Sequence, residues 1–431
     1  MTDHLGVVLR AHKAGLGAGV PSVCSAHPLV LAAAMRQAAE DGTFLLVEAT
    51  SNQVDQFGGY TGLRPADFRD LVHRIAREEG FPIDGIVLGG DHLGPNTWQG
   101  EAEAPAMAKA EDLVRAYAAA GYTKLHLDCS MSLAGEAVPL PDGVVAARAA
   151  RLLAAAESAA PDPDAVRYVI GTEVPVPGGA HETIDALAPT PAAAARATLD
   201  AHRAAFRAAG VEGAWPRIMA LVVQPGVEFD HLRVVDYDPA RTGDLQRVLD
   251  DEPDMVFEAH STDYQLAERL ADLVDDHWAV LKVGPGLTFA LREGLFALAA
   301  IEDQLVAEED RSRLLAVIEQ RMVDEPARWR RYYGGDADEQ RIARRFSYSD
   351  RMRYFLPDPA IESAVRQLLD NLRGGIPEPL ISQYLPLQYA RIRRGLVSAE
   401  ARDLLLDHVR DALRPYAAAC RSSSLPIGAA R

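Results

Sequence analysis

The sequence repeats one short pattern eight times. Each unit is an apolar, often β-branched run that ends in small or polar residues and is followed by an amphipathic, alanine-rich stretch. Apolar strands that alternate with helices are typical of a parallel sheet covered by helices. Eight units predict an α/β fold that closes into a (β/α)8 TIM barrel. The apolar runs lie at 21–27, 44–53, 85–95, 124–132, 167–179, 218–229, 255–264 and 279–286.

An open, doubly wound sheet is the alternative arrangement of alternating strands and helices. It needs only about five or six strands and usually carries a glycine-rich phosphate turn after the first strand. No GxGxxG motif follows the first apolar run of this chain. We therefore predict a barrel over 1–308 and a mainly helical C-terminal extension over 309–431 that packs on the barrel.

Charge and composition narrow the function class. The 431 residues include 44 Lys and Arg against 62 Asp and Glu, a formal charge of −18. Such an acidic balance argues against a nucleic-acid partner. No run reaches the roughly 18 uncharged apolar residues that a membrane span requires. Three widely separated cysteines fit a reducing compartment, so we expect a cytoplasmic protein with no membrane partner.

Polar side chains follow the predicted strands at their C-terminal ends, where barrel enzymes place their active sites. Asp91 and His92 stand in GGDHLGPN directly after an apolar run. They combine a proton-transfer group with an imidazole that can bind a metal. The other candidates at strand ends are Ser25, Glu48, Asn52, Asp128, Glu173, Gln224, His260, Ser261, Asp263 and Lys282.

A candidate metal site consists of His92, Glu173 and His260. Their mixed nitrogen and oxygen ligands suit zinc or another divalent cation, with a coordination position left open for substrate. Because each ligand comes from a different strand, spacing along the sequence does not test the assignment. The alternative is a set of hydrogen-bonded structural histidines.

The sequence does not decide whether Lys282 and His126 take part in the chemistry or support other residues. Lys282 could form a Schiff base, which would make a metal-free aldolase, or pair with a carboxylate such as Glu258. We favour the ion pair, because strand alternation can turn this lysine away from the substrate. His126 and Asp128 stand two residues apart on one face of a strand, so one of them is expected to support the other.

A substrate phosphate has two candidate binding groups. The backbone amides at 284–286 could hold it, or the cations Arg351 and Arg353 could. The alternative for the two arginines is an exposed helix face. Residues 58–62 form a glycine-rich segment that is either a loop closing over the site or a plain connection.

Together, these motifs resemble one known family. The segments that carry the resemblance are SVCSAHPLV, EATSNQVDQFGGYTG, GGDHLGPN, HLDCSMS, IGTEVPVPGG, VVQPGVEFDH, EAHSTDYQ, LKVGPGLTFALRE, YSDRMRYF and ISQYLP. In these segments the chain is similar to the GatZ/KbaZ family, the accessory subunits of class II tagatose-1,6-bisphosphate aldolase, and the resemblance covers essentially its whole length.

The resemblance implies a role in galactitol, tagatose or N-acetylgalactosamine catabolism. The family's subunits support a catalytic partner that reversibly cleaves D-tagatose 1,6-bisphosphate to glycerone phosphate and glyceraldehyde 3-phosphate. More distant class II aldolases use an Asp as proton donor beside a His that binds zinc, which Asp91 and His92 resemble. His260 and Glu173 match further strand-end positions, whereas Gln224 stands where a third histidine is expected.

Relatives of the family are also similar to sugar 4-epimerases, which leaves an alternative function. An autonomous metal-dependent epimerase would interconvert fructose 6-phosphate and tagatose 6-phosphate by retro-aldol chemistry. In either reaction a divalent cation would polarise the ketone while Asp91, Asp128 or Glu173 moved protons.

The expected ligand is a ketohexose phosphate or a free ketohexose. The expected protein partner is a class II catalytic subunit, and self-association as a homo-oligomer is the alternative. The substrate-binding candidates are Ser25, Glu48, Asn52, Gln224, Ser261, Asp263, Lys282 and Arg351.

Overall fold

A computed structural model describes residues 3–172 and 187–420 of the chain. Glu173 and the end of the fifth apolar run therefore lie outside the described residues. The strands of the described part are β1 (Val20–Val23), β2 (Leu45–Thr50), β3 (Ile86–Leu93), β4 (Lys124–Leu127), β5 (Arg167–Ile170), β6 (Ile218–Val222), β7 (Glu228–Phe229), β8 (Val234–Val235), β9 (Val256–Ala259) and β10 (Trp278–Val283).

Eight of these strands form a closed, parallel barrel in the order β1-β10-β9-β6-β5-β4-β3-β2. Each predicted apolar run overlaps one barrel strand, so the predicted (β/α)8 barrel is confirmed. The remaining strands, β7 and β8, pair with each other as a short antiparallel hairpin. This hairpin lies in the connection between β6 and β9, where the sixth run continues beyond its strand.

Helices connect the strands and follow the barrel. The described residues form α1 (His4–Lys13), α2 (Pro28–Asp41), α3 (Pro65–Glu79), α4 (Glu103–Ala119), α5 (Asp142–Ala159), α6 (Ala192–Ala208), α7 (Gly243–Gln246), α8 (Ala267–Asp275), α9 (Pro285–Leu305), α10 (Leu314–Asp324), α11 (Ala337–Phe346), α12 (Pro359–Asn371), α13 (Glu378–Tyr384), α14 (Pro386–Ile392) and α15 (Ala401–Ala419).

The N-terminal half of the barrel interior is apolar. Side chains that alternate inward along the strands, such as Leu46 and Val280, form one cluster with Leu5, Val8 and Leu9 of α1. Helix α1 therefore covers the barrel from below. Burying each Val or Leu side chain contributes about 1.5–3 kcal/mol to the stability of the fold. Because the N-terminal end of the barrel interior supplies this stability, the C-terminal end can carry polar groups.

The C-terminal helices pack on the barrel helices. Helix α15 contacts α2, α8 and α9. A short 3-10 turn at Arg351–Tyr354, between α11 and α12, brings two side chains to the C-terminal mouth of the barrel. The division of the chain at 308/309 stays a prediction. Among the described helices, none is both long enough and apolar enough to cross a membrane.

Candidate metal and substrate site

A cavity opens at the C-terminal ends of the barrel strands. Barrel strands, the loop after β2, the start of α9 and the 3-10 turn between α11 and α12 all contribute to its lining. The structure brings together at this cavity the sequence candidates Ser25, Asn52, Asp91, His92, His260, Ser261, Asp263 and Lys282.

Three imidazoles and one carboxylate converge at the cavity floor. They belong to Asp91 and His92 of β3, His126 of β4 and His260 directly after β9. One ligand atom from each of the four residues lies within 4.8 Å of those of the others. Such a set of buried nitrogen and oxygen atoms suits a divalent transition metal.

Each of the three imidazoles contacts a carboxylate through one ring nitrogen. His92 Nδ1 lies 2.8 Å from Asp128 Oδ2, and His126 Nδ1 lies 3.1 Å from Asp91 Oδ1. Histidines that bind metals almost always donate their other N–H to such a group. Among the described residues, the buried Nε2 atom of His126 has no hydrogen-bond partner. The His92 amide also lies 3.3 Å from His126 Nδ1. In the tautomer in which Nδ1–H donates to Asp91, the lone pair of Nε2 is available for a cation.

The third imidazole, that of His260, also contacts a carboxylate, but through Nε2 instead of Nδ1. His260 Nε2 lies 2.9 Å from Glu258 Oε1, and Glu258 stands two residues earlier on the same inward face of the strand. Burial lowers the pKa of His260 to about 3. The ring is therefore neutral, which is the form in which histidine binds a metal.

Below the imidazoles lies a network of buried ion pairs. Lys282 Nζ lies 2.5 Å from Asp91 Oδ1, 3.0 Å from Glu48 Oε2 and 3.3 Å from Glu258 Oε1. Lys124 Nζ lies 2.8 Å from Glu48 Oε1 and 2.7 Å from Glu258 Oε2. The side chains of Lys124, Glu48 and Glu258 are fully buried, so this network fixes the floor of the cavity.

Charges in this network fix the protonation state of the groups above it. Burial alone would raise the pKa of Asp91, but His92 and Lys282 lower it well below the usual range. Burial would lower the pKa of His92, but Asp91 and Asp128 raise it. The negative potential that attracts a proton to His92 attracts a metal cation equally.

Glycines and strained residues shape the strand ends. A Cβ on Gly89 would lie 2.6 Å from Glu48 Cγ, so only glycine leaves space for that carboxylate. His92 has φ +49° and Ser261 has φ +54°, in the left-handed region that side chains rarely adopt. Strain of this kind concentrates at functional sites.

Opposite the imidazoles, Asp263 occupies the N-terminus of α9. Its Oδ1 atom accepts hydrogen bonds from the amides of Gly284, at 2.9 Å, and Gly286, at 2.7 Å. Burial raises the pKa of Asp263 to about 6. The amides that the sequence offered for a phosphate are thus already bonded to a carboxylate of the chain.

Aromatic and cationic side chains form the outer wall of the cavity. Tyr60 and Tyr354 contact each other edge to face, with ring centroids 4.7 Å apart. Arg353 donates to the hydroxyl of Tyr354 at 3.2 Å and to the carbonyl of Asp350 at 2.8 Å. In the described part of the chain, its guanidinium lies within ion-pair distance of no carboxylate. Arg353 is therefore available to an anionic ligand.

The loop after β2 supplies Tyr60 of this wall, in the place where the sequence predicted a glycine-rich loop. Asp55 accepts the amides of Phe57 and Gly59. A Cβ on Gly59 would lie 2.4 Å from the carbonyl oxygen of Gln53, and its φ is +54°. The loop thus has a defined conformation that holds Tyr60 over the cavity. Whether it opens and closes stays a prediction.

Several sequence candidates lie away from the cavity lining. Asp128 is fully buried behind His92 and also accepts from Asn96 at 2.7 Å. Glu48 lies in the floor network, while Gln224 caps its own turn by accepting from the amides of Gly226 and Val227. Glu173 lies outside the described residues.

Arg351 differs from its neighbour Arg353. Its guanidinium stacks on the ring of Tyr332, 3.3 Å from the centroid, and the side chain is buried outside the cavity lining. Of the two arginines expected as candidates for phosphate binding, Arg353 is the one in the cavity lining.

Sequence reasoning missed Glu228 altogether. This β7 residue is nearly buried, accepts from the amide of Phe229 at 3.0 Å and hydrogen-bonds Ser261. Burial raises the pKa of Glu228 to about 7. Glu228 does not stand at the C-terminal end of a barrel strand, because β7 is a hairpin strand outside the barrel. Tyr354 was missed for a related reason, since it comes from the extension.

Comparisons with known proteins agree with this architecture. A sequence model of the family described as D-tagatose-1,6-bisphosphate aldolase subunit GatZ/KbaZ-like matches residues 5–421. A solved structure, a probable tagatose 6-phosphate kinase from Sinorhizobium meliloti 1021, is 51% identical, with a TM-score of 0.86. That match covers 93% of this chain and 100% of the other.

Two solved aldolase structures match at much lower identity. A fructose-bisphosphate aldolase from Campylobacter jejuni is 13% identical with a TM-score of 0.46, over 86% of this chain and 92% of that one. The YdjI aldolase from Escherichia coli K12 is 10% identical with a TM-score of 0.40, over 83% and 94%. The family match spans nearly the whole chain, and this protein belongs to the GatZ/KbaZ-like family of D-tagatose-1,6-bisphosphate aldolase subunits.

Proposed function

We propose that this chain itself catalyses reversible cleavage of the C3–C4 bond of a ketohexose phosphate, with a divalent cation held by His92, His126 and His260. The observation that carries the proposal is the convergence of three carboxylate-bound imidazoles at the floor of a cavity. A subunit that only stabilised a partner would have no use for this arrangement.

The charge of the buried network fits a divalent cation. Among the described residues, four buried carboxylates contact the imidazoles or the lysines, and two buried ammonium groups face them. When the three imidazoles are in the neutral form that binds a metal, two negative charges remain, which one divalent cation would cancel. The carboxylates are those of Glu48, Asp91, Asp128 and Glu258, and the ammonium groups are those of Lys124 and Lys282.

In this proposal His126 supplies the third imidazole ligand. The resemblance to class II aldolases calls for a third histidine where Gln224 stands, and β4 supplies an imidazole instead. Its ring centroid lies 5.1 Å from that of His92 and 5.2 Å from that of His260, and its Nε2 has no hydrogen-bond partner within the described part of the chain. The three imidazoles favour zinc or a similar cation, which when bound would polarise the ketone carbonyl.

Asp91 is the best-placed base. It lines the cavity, is ionised, and is held by Lys282 on one side and His126 on the other. In the cleavage direction Asp91 takes the proton from the C4 hydroxyl, and the C3–C4 electron pair moves into an enediolate. The aldehyde carbon is then free to turn and expose its other face.

Re-formation of the bond completes an epimerisation. The enediolate attacks the turned aldehyde, and Asp91 returns the proton to the new C4 oxygen, so no oxidant or reductant is consumed. If the aldehyde is released instead and Asp91 returns its proton to C3 of the enediolate to give the free ketone, the same chemistry is that of an aldolase. Asp128 is fully buried and lies 2.8 Å from His92 Nδ1, which supports a role as a positioning residue for that ring.

Arg353 supports an anionic substrate. Its guanidinium lines the cavity without a carboxylate partner in the described residues, and arginine binds phosphate through charge-assisted hydrogen bonds. The family description and the description of the 51% identical structure both refer to tagatose phosphates. These observations favour a ketohexose phosphate over a free ketohexose.

Lys282 is unsuited to a Schiff base. Burial would lower its pKa, but Asp91, Glu258 and Glu48 raise it well above the usual range. A protonated amine is no nucleophile, so the metal-free aldolase loses support. Contrary to our expectation from strand alternation, Lys282 points into the barrel and reaches the cavity.

The second candidate function is the accessory role in a class II aldolase, which the family description favours. The two functions differ in whether the chain works alone. Purified chain, without any partner, should be loaded with zinc or manganese and incubated with fructose 6-phosphate. Chromatography would then detect tagatose 6-phosphate or triose products.

We expect tagatose 6-phosphate to form, and its formation to stop when a chelator is present. Asp91→Asn should lower the rate about 10²–10⁴-fold. Asp407→Asn is the matched control, because Asp407 is also buried and ion-paired but belongs to α15. No product from the chain alone, with activity only after a class II catalytic subunit is added, would support the accessory role instead.

A further inference from the structure

The N-terminus of α9 faces the substrate cavity but is closed to external anions. Gly284, Pro285 and Thr288 all line the cavity. In (β/α)8 enzymes, the loops after the last strands and a helix N-terminus here frequently bind a substrate phosphate. Asp263 takes that place in this chain.

The contact between Asp263 and α9 is tight. Its Oδ1 atom accepts from the amides of both Gly284 and Gly286, and the residue is only 3% exposed. A Cβ on Gly286 would lie 3.0 Å from the same oxygen. The two amides therefore have no room for a second anion, and the carboxylate would repel one.

The rest of the cavity offers one other anion site. Lys282 lies within 3.3 Å of three carboxylates, which already balance its positive charge. Of the remaining cations in the described lining, Arg353 is the group without a carboxylate partner. In the described lining, a ligand with an anion at both ends therefore has a free cationic partner for only one of them.

We propose that Asp263 is a specificity-determining residue that closes the anion site at the N-terminus of α9, so that the chain binds a ketose phosphorylated at one end and rejects the bisphosphate. The inference rests on the proposed function in taking a ketose phosphate as ligand. It goes beyond that function because the family description refers to a bisphosphate.

Binding measurements test the proposal without requiring turnover. The full chain would be titrated calorimetrically at pH 8 with fructose 6-phosphate, fructose 1,6-bisphosphate and inorganic phosphate. At that pH Asp263 is ionised, since its pKa is about 6. We expect the wild type to bind the bisphosphate at least tenfold more weakly than the monophosphate.

The variant Asp263→Ser should reopen the site. We expect its affinity for the bisphosphate and for inorganic phosphate to rise at least tenfold, with less than a threefold change for fructose 6-phosphate. Asp230→Ser is the matched control, because the buried Asp230 also accepts two amides, those of Leu232 and Arg233, outside the cavity lining. This control should keep the wild-type ratio.

Equal binding of the two sugar phosphates by the wild type would overturn the proposal, as would a folded Asp263→Ser without any gain for phosphate. If Asp263→Ser does not fold, Asp263→Asn keeps an acceptor for both amides and loses the charge. The ratio of the bisphosphate Kd to the monophosphate Kd should then fall at least threefold. An unchanged ratio would overturn the proposal.

The binding results separate this proposal from the proposed function. Discrimination without turnover would contradict the proposed function and uphold the role of Asp263. Turnover without discrimination would do the reverse. If neither sugar phosphate binds, the ketose ligand is wrong, and the gain of inorganic phosphate binding in Asp263→Ser still decides whether Asp263 closes the site.

Discussion

Lys282 Nζ and Asp91 Oδ1 lie 2.5 Å apart inside the barrel, although their strands, β10 and β3, are separated by two others in the sheet. The ion pair crosses the barrel interior and ties the proposed base to the floor network. Because both side chains are buried, the pair resists screening by solvent. The proposed chemistry depends on an ionised Asp91, and His92 together with Lys282 lowers its pKa well below the usual range.

Removal of the lysine should strongly destabilise the fold. Lys282→Met removes the ammonium group that contacts Asp91 and leaves Lys124 as the ammonium group beside Glu48 and Glu258. Breaking a buried pair typically costs about 3–5 kcal/mol. Urea unfolding in the presence of a chelator would measure the change. Lys109→Met removes the partly exposed Lys109–Glu101 pair and should cost no more than about 1 kcal/mol. An equally small loss of unfolding free energy in both variants would show that the buried ion pairs of Lys282 do not stabilise the fold.

Loss of a carboxylate behind an imidazole should weaken metal binding. Asp128→Asn replaces the carboxylate that lies 2.8 Å from His92 Nδ1 with a neutral amide, and such partners typically contribute 10–100-fold to metal affinity. We expect a loss of about that size in competition with a chromophoric chelator, whereas Asp407→Asn should keep wild-type affinity. Unchanged affinity in a folded Asp128→Asn would show that His92 does not bind the ion.

The arginine at the cavity wall should discriminate phosphorylated from free sugar. Hydrogen bonds to charged groups contribute about 1.5–3 kcal/mol, so Arg353→Met should raise KM for fructose 6-phosphate about 10–100-fold, with little change in kcat. Arg351→Met is the matched control, since the Arg351 guanidinium stacks on Tyr332 outside the cavity lining. An equal effect of both variants on KM would argue against phosphate binding by Arg353.

Glu228 makes stability depend on pH. Its folded pKa of about 7 lies above the ordinary value of 4.5, so the folded state holds a proton that the unfolded state has lost. Stability should therefore fall as pH rises from about 4.5 to about 7 and then level off. Asp263 contributes in the same direction at lower pH, because its pKa is about 6.

The variant Glu228→Gln isolates this contribution. Thermal melts at pH 5, 6.5 and 8 would compare it with the wild type. The difference in Tm, variant minus wild type, should become more positive by a few degrees from pH 5 to pH 8. A difference that stays constant across this range would mean that Glu228 ionises at its ordinary pKa.

The barrel could be predicted from the sequence because its signal is local. Each strand is a short apolar run, and the polar groups at strand ends must meet at one face of a closed parallel sheet. The placement of Asp91, His92 and His260 around one cavity follows from that rule.

The rest of the site depends on contacts that no local pattern specifies. His126 and Asp128 share a strand face, and only their neighbours decide that His126 joins the imidazoles while Asp128 supports His92. Asp263 meets Gly284 and Gly286 because two successive loops lie side by side. Arg353 reaches the cavity from the C-terminal extension, far along the chain from the strands.

The central claim is that this chain binds one divalent cation and uses it for catalysis without a partner. Metal-free chain would be titrated with zinc or manganese while bound ions, by mass spectrometry, and conversion of fructose 6-phosphate are measured in the same samples. We predict that activity rises linearly with bound metal and levels off at about one ion per chain, as expected for the charge that the network leaves uncompensated. Activity that is independent of bound metal, or full occupancy without conversion, would contradict the account.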